Sequence, residues 1–112
     1  EQDAVHLLLT LERVSRMEEH GPGVLYVDEE TLKEGLQLRK WQNGDYFYPL
    51  GMSGRQKVAK YFKDHKFSLF EKEAQWILCS GSEIVWLVGH RADERFKVRG
   101  HSRKILRMEW IG

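Results

Sequence analysis

Two uninterrupted apolar runs, Trp76–Cys79 and Ile84–Val88, are joined by the polar tetrapeptide Ser80-Gly81-Ser82-Glu83. Short apolar runs bounded by turn residues read as strands, and a glycine-bearing connection of this length closes a hairpin. The pair is therefore expected to form a buried β-hairpin with Trp76 and Trp86 in the core. Cys79, inside the first run, reads as a small core hydrophobe rather than a reactive thiol. A chain of 112 residues builds one domain around such a hairpin.

The remaining segments fall around it. Val5–Val14 reads as a strand or a short helix, since so few residues do not let periodicity decide. Gly21-Pro22-Gly23 is a turn, followed by a short strand at Val24–Val27. Asp28 caps a brief helix whose first turn holds Glu29 and Glu30, with Gly35 as its end. Leu36–Trp41 alternates as a half-buried strand, Asn43-Gly44-Asp45 turns the chain, and Tyr46–Leu50 is extended. Ser53 with Gln56 has capping-box spacing, predicting a helix over 54–65 with Val58, Tyr61 and Phe62 inward. Ser68 with Glu71 repeats the pattern for a short helix ending near Gln75. Residues 89–100 read as a charged connection, and Ile105–Ile111 as a last strand. The sum is an α+β domain: a mixed or antiparallel sheet, one main helix and one or two short helices.

Apolar content of 41% with 12% aromatic is that of a globular protein, not a disordered chain. One cysteine excludes an internal disulfide framework and suits a reducing, cytoplasmic compartment. No apolar run reaches the roughly 20 residues of a membrane span. Charge is divided unevenly. Residues 1–34 carry three basic against nine acidic side chains, a net of −6, whereas residues 35–112 carry fifteen against eight, a net of +7. That division points to a polyanionic partner for the second part, unless it is merely an uneven solvated surface.

Catalytic signatures are missing from the sequence. Gly51-Met52-Ser53-Gly54-Arg55 lacks the spacing and the lysine of a phosphate loop, and there is no G-x-S-x-G elbow. The five histidines are scattered; His90, Asp93 and Glu94 sit between Arg91 and Arg95, so loop salt bridges are the better reading there than a metal. No catalytic or metal-ligating residue is assigned. The positive signal concerns anions. Arg55 and Lys57 in the first turn of the predicted helix would oppose its dipole unless a phosphate bound there. Lys57, Lys60 and Lys63 follow along that helix as a phosphate track or as a solvated face. Arg91, Arg95, Lys97, Arg99, Arg103, Lys104 and Arg107 make a second basic segment, and Arg39 and Lys40 beside Trp41 a third. Basic residues interleaved with aromatics suit unpaired bases. Even so, Trp41, Tyr46, Phe47 and Tyr48 read mainly as core and turn packing, with about one of them left for recognition.

With these residues in view, a family resemblance emerges. Residues 38–52, Leu-Arg-Lys-Trp-Gln-Asn-Gly-Asp-Tyr-Phe-Tyr-Pro-Leu-Gly-Met, resemble the "LRxWxxGDxFxPLGM" signature of the C-terminal domain of tRNA(Ile)-lysidine synthetases. Ser53-Gly54-Arg55-Gln56-Lys57-Val58 looks like the helix start "xGxKKxSDF". Residues 84–98, Ile-Val-Trp-Leu-Val-Gly-His-Arg-Ala-Asp-Glu-Arg-Phe-Lys-Val, resemble "IxWVxGxRIDERFKV". The blocks agree in order and spacing and span about Val24 to Leu106. The chain departs from the pattern at Gln56-Lys57, where two lysines are frequent, at Ala59-Lys60-Tyr61 for Ser-Asp-Phe, and at Ser68 for a proline.

The resemblance implies a fold akin to a domain of phenylalanyl-tRNA synthetase β subunits, over residues 24–112, preceded by an acidic linker or edge element at 1–23. It implies a non-catalytic module that holds the acceptor-stem end of tRNA(Ile), while an N-terminal ATP-pyrophosphatase domain adenylates the wobble cytidine and lysine displaces AMP. ATP and Mg2+ would belong to that domain of the parent ligase, and this chain alone would be inactive, without a cofactor of its own. Arg39, Lys40, Arg55, Lys57, Lys60, Arg91, Arg95 and Lys97 are the expected RNA-binding residues. The partners so implied are the tRNA and the catalytic domain of the same polypeptide. The competing expectation is a scaffold that packs on that domain or on a second copy; an independent small-molecule enzyme has no support in the sequence.

Overall fold

A computed structural model of the chain describes residues 8–112. Nine strands occur among them: β1 (Leu9–Val14), β2 (Val24–Asp28), β3 (Leu36–Lys40), β4 (Tyr46–Phe47), β5 (Gln56–Lys57), β6 (Trp76–Ser80), β7 (Glu83–Leu87), β8 (Arg91–Ala92) and β9 (Ile105–Trp110). Two α-helices, α1 (Val58–Asp64) and α2 (Leu69–Ala74), and 3-10 turns at Glu29–Thr31 and Glu94–Phe96 complete the described chain. All strand pairings are antiparallel, in sheets ordered β1-β9-β2, β3-β6-β7-β8 and β4-β5. The α+β class, with antiparallel sheets and few helices, is as the sequence indicated. The first expected segment, Val5–Val14, is a strand over Leu9–Val14; Val5 to Leu7 lie outside the described residues.

The expected hairpin is the centre of the molecule. Successive side chains of a strand point to opposite faces, and here both faces are covered. Leu78, Val85 and Trp86 pack toward the β1-β9-β2 sheet with Val27, Phe96 and Met108. Ile77, Cys79, Ile84 and Leu87 pack toward α1 with Phe47, Val58, Tyr61 and Phe62. That two-sided burial is why the runs are continuously apolar rather than alternating. A register shift between Leu78 and Cys79 adjusts the alternation midway. Trp86 is buried as expected, but Trp76 is only half-buried at the edge of the first cluster. Its ring is covered by Lys40, whose Nζ lies 3.8 Å from the ring centroid.

The turn of the hairpin depends on Gly81. Its φ of +61° is a left-handed conformation, and a Cβ there would sit 2.6 Å from Cγ of Glu34. Ser80 Oγ completes the junction, donating to the Glu34 carbonyl at 3.0 Å and accepting the Glu34 amide at 3.2 Å.

The main helix corrects the expectation. It spans Val58–Asp64, not 54–65, and Ser53 does not cap it; Lys57 occupies the cap position without a side-chain hydrogen bond. Two causes are visible. Gly51 and Gly54 take φ values of +84° and +83°, which a right-handed helix cannot include. Gln56 and Lys57 instead pair with Phe47 and Tyr46 as β5. The inward stripe of Val58, Tyr61 and Phe62 is as expected. The second capping box forms fully: Ser68 Oγ accepts the Glu71 amide at 3.1 Å, and Glu71 Oε1 accepts the Ser68 amide at 2.7 Å. The charged connection over 89–100 proves structured, holding β8 and the 3-10 turn capped by Asp93.

Candidate nucleic-acid interface

Strand alternation sorts the aromatics of the first motif block. Phe47 is fully buried, whereas its neighbours Tyr46 and Tyr48 face outward, Tyr46 retaining 42% exposure. Tyr46 lies opposite Lys57 in the β4-β5 register, and directly opposed residues share a face. Arg55, two residues before Lys57, lays its guanidinium 4.5 Å over the Tyr46 ring. Tyr46 meets Tyr48 edge to face at 6.2 Å, and Arg95 covers Tyr48 at 4.4 Å. The result is a ladder, Arg55–Tyr46–Tyr48–Arg95, with Lys57 beside it. Because α1 begins only at Val58, Arg55 and Lys57 reach this surface from a strand and its approach, not from a helix start.

Asp93 holds one end of the ladder in place. It is 1% exposed, and its oxygens accept the amides of Tyr48 at 2.9 Å and Arg95 at 2.8 Å. They also take the Arg95 guanidinium at Nε and Nη2, both at 3.0 Å. Arg95 reaches Glu83 as well, at 3.1 Å. Burial works against the charge of Arg95, but the bonds to Asp93 and the charge of Glu83 outweigh it and raise its pKa above the ordinary guanidinium value. Neighbouring contacts tie the loop after Pro49 to the same region. Arg91 Nη2 donates to the Leu50 carbonyl at 2.6 Å, and the Gly51 amide donates to Glu94 Oε1 at 2.9 Å. That amide, followed by Lys97, lowers the pKa of Glu94 below the usual carboxylate range.

The eight expected residues thus separate. Arg55, Lys57 and Arg95 come together, with Arg91 anchoring the adjoining loop. Arg39 is committed to the turn before β4, bonding both carboxylate oxygens of Asp45 at 2.9 and 3.0 Å; that contact is the first cause of its raised pKa. Lys60 pairs with Asp64 at 2.9 Å and Lys97 with Glu94. Lys40 lies opposite Trp76, at the far end of β6 from the Ser80–Glu83 turn, and donates to the Ala74 carbonyl at 3.2 Å. Of the four aromatics expected mainly as packing, Tyr46 and Tyr48 face outward; the signal for that placement is the alternation about Phe47. Asp93 and Glu94 form salt bridges with Arg95 and Lys97, and no group of three or more metal-ligating side chains occurs among the described residues. No described helix is long and apolar enough to cross a membrane.

A basic, aromatic outer face on an antiparallel hairpin covered on both sides defines a small α+β module. Residues 36–110 match the family model described as the TilS substrate C-terminal domain, and the chain belongs to that family. It is 47% identical over 89 residues to the tRNA(Ile)-lysidine synthase of Parabacteroides distasonis, covering 80% of this chain and 20% of that protein. With the synthase of Bacteroides thetaiotaomicron it shares 44% identity over 79 residues, 70% of this chain and 18% of the other. The chain therefore spans about a fifth of the length of these relatives. In fold it is similar to a crystal structure of a TilS C-terminal domain, with a TM-score of 0.75 at 21% identity, over 93% of this chain and 84% of that one.

Proposed function

We propose that this chain is the tRNA-holding C-terminal domain of a cytoplasmic tRNA(Ile)-lysidine synthase, gripping the acceptor-stem end of tRNA(Ile) through the outer face of β4 and β5. The observation that carries this reading is the state of two cations. Arg55 and Lys57 have no carboxylate partner among the described residues, whereas Arg39, Lys60, Arg95 and Lys97 around them are ion-paired. Unpaired cations beside outward aromatics fit a phosphodiester whose neighbouring groups stack. Arg95, held by a fully buried carboxylate, contributes a fixed guanidinium rather than a mobile charge.

In the parent protein, ATP and Mg2+ would be bound by the ATP-pyrophosphatase domain, whose Ser-Gly-Gly-x-Asp-Ser loop is not present in this sequence. This chain then supplies affinity and orientation, and alone it turns over no substrate. Tethering a second contact to the catalytic domain raises the effective concentration of the tRNA there.

The test is binding of the chain to tRNA(Ile) and to a minimal acceptor-stem hairpin across a salt series. Each phosphate contact steepens the salt dependence by about 0.7–0.9 log units per log unit of salt. Comparable binding to both RNAs with a slope of several contacts supports the reading. Absence of binding at low salt overturns it.

A specific observation favours a second reading, in which the domain also packs on protein. On α2, Leu69 and Phe70 are 70% and 78% exposed. They adjoin a cleft of about 250 Å³ lined by Phe67, Phe70, Trp76 and Trp110 among others. Apolar surface of this kind marks contact sites. Self-association lost on substituting Phe70 by serine, with RNA binding retained, would establish this scaffold role for a second copy.

A further inference from the structure

Between the Gly44-Asp45-Tyr46 turn and the Ser82-Glu83 turn lies a cleft of about 290 Å³, lined also by Ile84 and Arg95. It adjoins the aromatic ladder directly, since Tyr46 and Arg95 belong to both. We propose that this cleft and the Arg55-covered Tyr46 ring receive the base of an unpaired nucleotide, so that the surface recognises a single-stranded RNA end and not only duplex backbone. The proposal rests on the acceptor-end reading above.

The charge pattern separates the positions of base and phosphate. Asp45 and Glu83 line the cleft, and a phosphate there would meet two carboxylates. Both carboxylates are also tied to cations: Asp45 accepts from Arg39 and from the Gln42 amide, and Glu83 accepts from Arg95. What they still offer is hydrogen-bond acceptance, which suits the amino and imino N–H groups of a base. The phosphate belongs on the other side of Tyr46, where Arg55 and Lys57 lack carboxylate partners.

The stacking geometry agrees with that division. One face of Tyr46 is covered by the Arg55 guanidinium, yet the residue keeps 42% exposure. The ring thus keeps accessible aromatic surface where it lines the cleft, and Arg55 braces it from the phosphate side. The Tyr48 amide bonds to buried Asp93, which anchors the backbone of the residue whose ring meets Tyr46 edge to face. A rigid aromatic surface of this kind lowers the ordering cost of capturing a flexible nucleotide.

The experiment compares the chain's affinity, at low salt, for a blunt RNA hairpin and for the same hairpin carrying four unpaired nucleotides at its 3′ end. The tail is expected to tighten binding about fivefold or more, the gain of stacking one base. Tyr46→Ala is expected to bring the ratio of the two affinities close to one, and Tyr46→Trp to keep it. Equal affinity of the unsubstituted chain for both RNAs overturns the proposal while leaving the acceptor-stem reading intact, as does a full tail preference in Tyr46→Ala. Binding of neither RNA overturns the acceptor-end reading and the proposal with it.

Discussion

Asp93 and Arg95 form a doubly bonded pair, Nε to Oδ1 and Nη2 to Oδ2 at 3.0 Å each, in which the carboxylate is fully buried and the guanidinium is one-third exposed. The acid faces the interior, where it also accepts the Tyr48 and Arg95 amides, and the base faces the outer surface. A buried carboxylate with four donors is stabilised far more than an exposed one, and it fixes what it binds. Two motif blocks distant in sequence, around residues 46–52 and 91–97, are locked together at this point. Loss of the pair therefore affects both the fold and the surface.

Asp93→Asn is expected to lower stability by about 2–3 kcal/mol, since the amide retains one acceptor oxygen and turns an N–H group toward donors. Urea denaturation checks the magnitude. The same variant releases Arg95 from Tyr48, so RNA affinity falls even under conditions where the variant is fully folded. A stability change below about 0.5 kcal/mol would show that the contact does not organise the domain.

Replacing Arg55 and Lys57 together by alanine is expected to leave stability within about 0.5 kcal/mol, because both are exposed and neither has an ion pair among the described residues. Binding to tRNA weakens, and the salt slope falls by about 1.5, two phosphate contacts' worth. Salt-titrated affinity and a thermal melt, measured on the same samples, separate the two effects. An unchanged slope with weaker binding would mean the pair acts by stacking alone.

Gly81→Ala should destabilise the hairpin turn on two counts. The left-handed backbone costs an alanine about 1–2 kcal/mol, and its Cβ would collide with the Glu34 side chain. Glu34→Ala in the same background is expected to relieve the 2.6 Å collision with Cγ, but neither the 3.0 Å approach of the Glu34 Cβ nor the backbone cost. Stabilities of the two single variants and the double variant measure this; full recovery would assign everything to the clash.

Glu94 carries a pH dependence of known sign. The Gly51 amide, and after it Lys97, hold its folded pKa below the ordinary 4.5. Its contribution to stability is therefore present above that value and is lost as pH falls through the folded pKa. The Gly51 amide resonance is expected to titrate with a midpoint below 4.5, and Glu94→Gln to abolish that transition. A midpoint at or above 4.5 would contradict the contact.

Much of the architecture was legible in local sequence. The two apolar runs around Ser80–Glu83 specify a hairpin because their lengths and turn residues admit little else, and the Val58, Tyr61, Phe62 stripe specifies an inward helix face by its spacing. The Ser68–Glu71 capping box is a contact over three residues, and it forms as its sequence indicates. The family, too, was readable in three motif blocks. Where the main helix begins was not, because Ser53 and Gln56 satisfy a local rule that a tertiary pairing overrides: Gln56 and Lys57 bond to β4, and a turn with two left-handed glycines precedes them. Charge was likewise ambiguous in one dimension. Eight basic residues look equivalent in sequence, yet Arg39, Lys60, Arg95 and Lys97 meet carboxylates, mostly near in the chain and in one case across 12 positions at Glu83, while Arg55 and Lys57 meet none among the described residues. Sequence by itself determined the longer strands, most of the core and the family, since these follow from periodicity and short-range chemistry, but not β5 or β8. Only the tertiary structure decided that Arg55 and Lys57 remain uncompensated beside Tyr46, because the pairing of β4 with β5 sets which side chains share that face.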